Sequence, residues 1–428
     1  MEVALPLHER TDLIRAGRSP AEATHEVIFV VQERNLDQLE AAALDVSDPK
    51  SKNYGKYWTP EQIGQLTANY VARDAIVAYL SGSAATVVNQ TQFGEMVIAQ
   101  APVAHWERVF STEFYNHHYV YEGSGEVSEH AFHRADRYSI PAALHGHVAT
   151  VINTVQMPSP LPKGSSLFDP PPAAAAANDG VDSAVPAQAQ ATAVAGTVTV
   201  TKLVTGTVTP SKIASMYNID SSAASAQATQ AVVAMPTGTD WNYMNRADLA
   251  FSQQFFNLPS NPVSKFARIN RPKVDNDDAG AVGTSYYGGG SVEACPNSKT
   301  YPTCYLGEGN LDVQYMTATA QGAPTTWAQV QGSRSTDPFI ILLLMLVQNL
   351  ATLPLVFSIS YGAVESQLPP SYLSMFDTAA QKVSLTGRTI VVSSGDSGAG
   401  DTTCGYFPGY PAASPWVLSV GATLVKHA

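Results

Sequence analysis

Two acidic side chains four positions apart, Glu308 and Asp312, are the first residues of this sequence to suggest catalysis. In a helix, positions i and i+4 share one face, so the two carboxyl groups would stand close together. Two negative charges at that distance raise one pKa and keep a shared proton available in acid. The same spacing also occurs without any catalytic role, because acidic side chains are favoured near a helix N-terminus.

The distribution of histidines favours a carboxylate as the base. Nine of the ten histidines lie before residue 150, and the remaining one is His427. A serine hydrolase built from the second half of the chain would therefore depend on a Glu or Asp base, which implies acidic conditions. Glu308, oriented by Asp312, fits that requirement.

A third acid, Asp396, lies in the segment Gly-Asp-Ser-Gly at 395–398. It follows an apolar run and has glycines nearby, so a protonated Asp396 could face a cleft and donate to an oxyanion. A turn Asp that binds its own loop amides is the alternative. The segment also looks like a chymotrypsin-like nucleophile loop with Ser397, but that chemistry needs a His base, which this half does not supply.

The hydrophobic pattern of the second half predicts the scaffold for these residues. Apolar, β-rich runs recur at 231–235, 355–361, 389–394 and 416–420, and helical segments at 312–320, 339–350 and 371–383 separate them. This alternation predicts an α/β fold, a parallel sheet with helices on both faces. Functional groups of such sheets lie at the carboxyl ends of the strands, here at 358–362 and 393–398.

The first part of the chain has a different pattern, with a strand at 26–31 and helices at 35–44 and 71–80, which predicts a small α+β domain. A Pro-, Ala- and Thr-rich stretch predicts an exposed linker that proteases can cut. We therefore divide the chain into residues 1–157, a linker at 158–207 and a second domain at 208–428.

Composition excludes several partners. A formal net charge of −12 without basic clusters excludes nucleic acid and anionic membrane surfaces. The longest apolar run, 339–347, is far shorter than the roughly 20 residues of a membrane span. It predicts a buried helix with Asp337 as cap and Pro338 at its first position. The first 20 residues contain no apolar core of a secretory signal.

Three cysteines are too few for a disulfide scaffold. Cys295 and Cys304 bracket a short loop that a bridge could close, which leaves Cys404 unpaired. A buried free thiol at Cys404 is the alternative that we weigh equally.

Several ordered motifs together resemble the sedolisin family of serine-carboxyl peptidases. They are Glu308-x-x-x-Asp312, Ser-Ile-Ser-Tyr-Gly at 358–362 with Glu365, Ser-Gly-Asp-Ser-Gly-Ala-Gly at 394–400, Phe-Pro at 407–408, and Pro-Ala-Ala-Ser-Pro-Trp-Val at 411–417 with Ser-Val-Gly at 419–421. Ser-Asp-Pro at 47–49 and Tyr-Gly-Lys-Tyr at 54–57 resemble the family's kumamolisin-type propeptide, and Val-Thr-Pro at 208–210 resembles the start of its mature enzyme.

The resemblance implies a subtilisin-like catalytic domain behind a ferredoxin-like propeptide. It implies Glu308 as general base, Asp312 as the residue that orients it and Asp396 as the oxyanion donor. It implies a cleft lined by an edge strand that pairs with the peptide substrate. The residues of that strand would be Ser358, Ile359, Ser360, Tyr361 and Gly362.

The resemblance also implies a nucleophile in a Gly-Thr-Ser motif beyond the loop that carries Asp396, and calcium ligands further along, and the sequence contains neither after that loop. We expect both beyond residue 428, together with a partner for Cys404. The sheet would then be incomplete at its C-terminus and expose apolar surface at 416–420, which predicts an unstable or aggregating product for these 428 residues.

The function expected from this resemblance is that of a secreted or lysosomal zymogen, which its own propeptide inhibits and which releases tripeptides from peptide N-termini. Endopeptidase action is one alternative, and an inactive relative that binds peptides or inhibits peptidases is the other. The histidine pairs at 117–118, 130 and 133, and 145 and 147 suggest a switch that loosens the propeptide in acid. Plain surface histidines or a metal site are the other readings of these pairs.

Overall fold

A computed structural model of the protein describes two large parts of the chain and several short segments. The described residues are 2–3, 12–120, 127–128, 131–158, 192–194, 197–199, 208–223, 226–234, 244, 246–265, 307–330, 337–395 and 408–423. Most of the linker, all three cysteines and Asp396 lie outside them, so the predictions for these residues, and the two domain boundaries, stay predictions.

The first domain alternates strands and helices. Its elements are β1 (Glu2–Val3), β2 (Leu13–Arg18), β3 (Thr24–Val31), α1 (Leu36–Ser47), α2 (Pro60–Thr67), α3 (Tyr70–Ser81), β4 (Thr86–Gln90), β5 (Met96–Pro102), α4 (Val103–Phe110), β6 (Phe114–Tyr119), β7 (Phe132–Ala135), β8 (Arg137–Tyr138) and β9 (Val148–Ile152).

Four of these strands form an antiparallel sheet in the order β4-β5-β3-β9. With helices between β3 and β4 and between β5 and β9, this is the βαββαβ topology of a ferredoxin-like fold. Helices α3 and α4 cover one face, where Phe29, Ile76 and Trp106 are fully buried in one apolar cluster. The predicted ferredoxin-like α+β domain is thus confirmed.

The rest of the described chain contains a short hairpin and the second domain. The elements are β10 (Thr192–Val194), β11 (Thr197–Thr199), α5 (Pro210–Tyr217), β12 (Gln230–Ala234), α6 (Arg246–Phe255), β13 (Val263–Lys265), α7 (Gly307–Thr319), β14 (Thr325–Gln329), α8 (Pro338–Gln348), β15 (Val356–Ile359), β16 (Ala363–Val364), α9 (Pro370–Leu385), β17 (Thr389–Ser393), β18 (Gly409–Tyr410) and β19 (Leu418–Val420).

Six of these strands form a parallel sheet in the order β13-β14-β12-β15-β17-β19. Alternate residues of β12 point to opposite faces: Val233 shares an apolar cluster with α8 and α9, and Val232 shares another with α6 and α7. The predicted parallel sheet with helices on both faces is confirmed.

The first ten of the eleven residues of helix α8, Pro338 to Val347, are all buried, because the helix is apolar on every side. Asp337 caps it, since its carboxylate accepts a hydrogen bond from the backbone N–H of Phe339 over 2.8 Å. Among the described residues, the chain has no helix with the length and apolar character needed to cross a membrane.

The two domains share an apolar core. The second face of the ferredoxin-like sheet, with Ile28 and Ile98, belongs to the same cluster of buried residues as α8 and α9. Helix α1 packs against α9, and the backbone N–H of Trp58 donates to the carbonyl of Leu385 over 2.8 Å. Burial of apolar surface therefore holds the first domain against the second.

Candidate active site

Helix α7 brings the acid pair to the carboxyl edge of the parallel sheet. It runs back along the sheet before β14, so its first turn, with Glu308, lies at the edge where the strands end. Val313 anchors the helix in the cluster that contains Val232 and Trp327 of the sheet. The chain adds β13 and β14 on one side of β12 and β15, β17 and β19 on the other, so β12 lies at the switch point of the sheet. Ligands of such sheets bind at the carboxyl edge beside the switch point.

Asp312 contacts the loop that follows the central strand β15. The hydroxyl Oγ of Ser360 donates a hydrogen bond to Oδ1 of Asp312 over 3.0 Å. Oδ2 is buried and has no hydrogen-bond partner within the described part of the chain. The structure thus joins two segments that are 48 residues apart in sequence.

The environment of Asp312 favours its neutral form. Burial raises the pKa of Asp312 to about 8, and the negative charge of Glu308 acts in the same direction, while the hydrogen bond from Ser360 lowers the pKa in part. In acidic solution Asp312 is therefore a neutral acid beside Glu308. A neutral acid can hold a neighbouring carboxylate in place and leave it free to act as a base.

Two further hydrogen bonds fix α7. The side-chain amide of Asn310 donates to Oδ2 of Asp248 on α6 over 2.8 Å. The hydroxyl of Tyr315 donates to the carbonyl of Val208, directly before α5, over 2.5 Å. These contacts hold the acid pair on a rigid element, which suits a catalytic constellation.

Part of the segment predicted to be a substrate-binding edge strand lies in the interior of the parallel sheet. Ser358 and Ile359 belong to β15, which pairs with β12 on one side and β17 on the other. Because both edges of β15 are already bonded, these two residues cannot pair with a peptide, and the edge-strand prediction is wrong for them.

The last three residues of that segment follow β15. Ser360 contacts Asp312, Tyr361 is buried, and a Cβ on Gly362 would lie 3.0 Å from the carbonyl oxygen of Tyr410. Directly after them β16 pairs with β18. A peptide-binding role for Ser360, Tyr361 and Gly362 stays a prediction.

Asp396 lies outside the described residues. The strand before it, β17, is the neighbour of β15, with Val392 opposite Ile359. Both strands end at the same edge of the sheet as the acid pair, so the prediction that Asp396 joins Glu308 and Asp312 is compatible with the described strands but untested.

The described residues do not form a calcium site. Among them, no three His, Cys, Asp or Glu side chains come together in a group that could hold a metal ion.

Sequence reasoning missed the contacts of Ser360 and Asn310. Ser360 was assigned to the peptide cleft, which stays a prediction, and its hydroxyl contacts Asp312. Asn310 lies within the Glu308-x-x-x-Asp312 motif, and only its position on α7 beside α6 reveals Asp248 as its partner. No local sequence signal specifies either contact, because both partners come from distant elements.

Fold and site define a two-domain α/β protein, with a ferredoxin-like domain packed on a parallel sheet whose carboxyl edge carries an acid pair. Residues 11–157 match the family described as "Pro-kumamolisin, activation domain". The N-terminal domain is thus similar to this activation domain over nearly its whole length.

Curated relatives extend the similarity to the second domain. The chain is 27% identical over 424 residues to tripeptidyl-peptidase 1 of Bos taurus, covering 97% of this chain and 64% of the relative. It is 28% identical over 420 residues to tripeptidyl-peptidase 1 of Homo sapiens, covering 96% of this chain and 63% of the relative. The chain is homologous to these proteins over nearly its whole length and spans somewhat less than two thirds of theirs.

Among solved structures, a Pseudomonas sedolisin, a serine-carboxyl proteinase complexed with two molecules of pseudo-iodotyrostatin, is similar with a TM-score of 0.38. The sequence identity is 19%, and the match covers 50% of this chain and 54% of that one.

Proposed function

We propose that this chain is part of an acid-acting serine-carboxyl peptidase zymogen. One observation carries the proposal: helix α7 holds the buried Asp312, bonded by Ser360, beside Glu308 at the carboxyl edge of the parallel sheet. Burial in this place raises the pKa of Asp312 to about 8. This arrangement supplies a neutral acid and a carboxylate base at acidic pH without a histidine. The homology to tripeptidyl-peptidase 1 and the pro-kumamolisin domain support the same reaction class.

In the proposed reaction, Glu308 takes the proton of a serine hydroxyl as the serine oxygen bonds to the scissile carbonyl carbon. Glu308 returns the proton to the leaving amine as the C–N bond breaks, and water then hydrolyses the acyl-enzyme. Asp312 orients Glu308, and Asp396 donates to the oxyanion. We place the nucleophilic serine in a Gly-Thr-Ser motif beyond residue 428.

The proposed substrates are peptides from which tripeptides are released at a free N-terminus. Endopeptidase cleavage is the alternative within the same reaction class. The first domain would act as the inhibitor until a cut in the linker at 158–207, and the enzyme would work in a lysosome or an acidic extracellular space. Calcium would bind beyond residue 428.

The test is an activity assay on the protein expressed from a reading frame extended past residue 428. After acidification to about pH 4.5 it should hydrolyse a tripeptidyl coumarin substrate with a free N-terminus, and Glu308→Gln should lower kcat at least about 100-fold. Leu311→Ala, on an exposed side chain of the same helix, is the matched control.

Acetylation of the substrate separates the two modes of cleavage. An exopeptidase loses activity on the acetylated peptide, whereas an endopeptidase keeps it. Unchanged activity of the Glu308→Gln protein would refute the proposed role of the acid pair.

A further inference from the structure

The hydroxyl of Ser360 forms a hydrogen bond with one member of the acid pair. Ser360 follows β15, which lies in the interior of the sheet. Its side chain contacts Asp312 on α7, the helix that packs on one face of that sheet. Ser360 is the partner of Oδ1, and Oδ2 has no hydrogen-bond partner within the described residues. The contact therefore distinguishes the two oxygens of one buried carboxyl group.

The Ser360 contact favours one proton position on neutral Asp312. While Ser360 donates to Oδ1, a proton on Oδ2 is favoured, because the carbonyl-type oxygen of a neutral acid accepts more strongly than its hydroxyl oxygen. A fixed proton position and a fixed rotamer are what an orienting acid requires, because a carboxyl group that rotates presents either oxygen to its partner.

We propose that Ser360 is a positioning residue of the Glu308–Asp312 pair, holding the Asp312 carboxyl group in one orientation through its Oγ–Oδ1 hydrogen bond. The proposal rests on the proposed function, in which Asp312 orients the base. It assigns Ser360 to the catalytic acids rather than to the peptide cleft.

The charged neighbour of Asp312 within the described residues is Glu308, on the same helix, and its charge raises the pKa of Asp312. The hydrogen bond from Ser360 lowers that pKa. Loss of the hydroxyl leaves burial and the Glu308 charge to act alone, so the pKa of Asp312 should rise further. Asp248, on the adjacent helix α6, is bonded to Asn310.

The direct test is a titration of Asp312 by NMR of the 428-residue chain with ¹³C-labelled aspartate carboxyl groups, assigned through Asp312→Asn. Ser360→Ala should raise the midpoint by roughly half a unit to one unit, and Ser360→Thr, which keeps the hydroxyl, should restore it. Ser374→Ala is the control, because Ser374 lies on exposed α9 surface and bonds only its own helix backbone at Pro370. No shift in Ser360→Ala, or an equal shift in Ser374→Ala, would overturn the proposal.

Kinetics of the extended protein supply a second readout. A positioning role predicts that Ser360→Ala lowers kcat about tenfold with KM unchanged. A raised KM at unchanged kcat would instead assign the hydroxyl to substrate binding and refute the proposal. If the extended protein hydrolyses no peptide, the proposed function fails, while the titration still decides whether Ser360 orients Asp312.

Discussion

Lys382, on helix α9 of the second domain, donates a hydrogen bond to Glu95 of the first domain over 3.1 Å. Its ammonium group also lies 2.5 Å from Glu33. The Lys382 side chain is only 1% exposed. Burial by itself lowers the pKa of Lys382, but the charges of Glu33 and Glu95 raise it above its ordinary value, so the lysine is a buried cation. One positive charge thus joins two carboxyl groups of the other domain.

Replacement of this lysine should loosen the contact between the domains. Lys382→Met keeps most of the apolar stem but leaves Glu33 and Glu95 buried without a cation, which should cost about 3–5 kcal/mol of unfolding free energy. Urea unfolding of the 428-residue chain at neutral pH, followed by tryptophan fluorescence, measures the effect.

Two variants make this experiment specific. Lys50→Met, on an exposed loop of the first domain, should change stability by less than about 0.5 kcal/mol. The triple variant Lys382→Met, Glu33→Gln, Glu95→Gln should recover part of the loss, because the uncompensated charges are gone. A Lys382→Met protein as stable as the parent would show that the ion cluster contributes nothing to domain docking.

Local sequence signals predicted several of the helices and four of the six strands of the parallel sheet. Asp337 and Pro338 predicted the start of α8, and its unbroken apolar run predicted burial on all sides, both of which are confirmed. The order of apolar runs predicted the parallel sheet, and β12, β15, β17 and β19 lie within or next to the predicted segments. These properties depend on neighbouring residues, so the sequence displays them directly.

Contacts between distant elements were not predictable in the same way. Lys382 lies 287 residues from Glu95 in sequence, and nothing near either residue indicates the other. The central position of β15 likewise follows from pairing with β12 and β17, which the pattern of a single strand does not reveal. Helix α2 did have a local signal that was missed, a capping box in which Thr59 and Gln62 bond each other's backbone.

A buried and a half-buried histidine lie close to a buried arginine in the first domain. The guanidinium of Arg134 bonds the carbonyls of Gln156 and His133, and the ring of His25 lies 5.5 Å from that of His133. Burial lowers the pKa of His133 to about 4, and the charge of Arg134 acts in the same direction. Of the histidines in the predicted acid switch, His117 and His133 both have their pKa lowered by burial and by the charge of Arg134. His130 lies outside the described residues.

His117 should make the first domain less stable in acid. Burial lowers its pKa from 6.5 to about 4, and the charges of Arg134 and Arg15 add to that effect, while its bond to the Tyr115 carbonyl and the charge of Asp136 oppose it. Between these two pKa values the unfolded chain binds a proton that the folded chain does not. The stabilisation is therefore complete above about pH 6.5 and is lost as pH falls towards 4.

The variant His117→Phe removes this pH dependence. A phenyl ring can keep the stacking on Phe132, whose ring centroid lies 5.6 Å away. Among the described residues Nε2 of His117 has no hydrogen-bond partner to lose, and the loss of the Nδ1 bond to the Tyr115 carbonyl affects stability at both pH values. The loss of stability between neutral pH and about pH 4.5 should shrink by roughly 2–3 kcal/mol, measured by urea unfolding at both pH values. His145→Gln, at an exposed site, is the control. An equal pH dependence in parent and His117→Phe proteins would rule out His117 as a source of acid sensitivity.

Gly387 and Tyr57 form a close contact between the domains. Gly387, just after α9, has φ of +79°, and a Cβ at this position would lie 2.5 Å from Cδ2 of Tyr57. Tyr57 precedes Trp58, whose backbone bonds Leu385. An alanine at 387 therefore meets two separate penalties, one from its own backbone conformation and one from the neighbouring ring.

A double-mutant cycle separates these penalties. Gly387→Ala should lower the free energy of unfolding by about 2–3 kcal/mol, of which roughly 1 kcal/mol is the left-handed backbone and the rest is the clash. In a Tyr57→Ala background the same substitution should cost only the backbone part, about 1 kcal/mol. Gly17→Ala serves as control, because no atom lies within 4 Å of its added Cβ. If Gly387→Ala costs the same with and without the Tyr57 ring, the ring moves aside freely and the two domains are not in tight contact here.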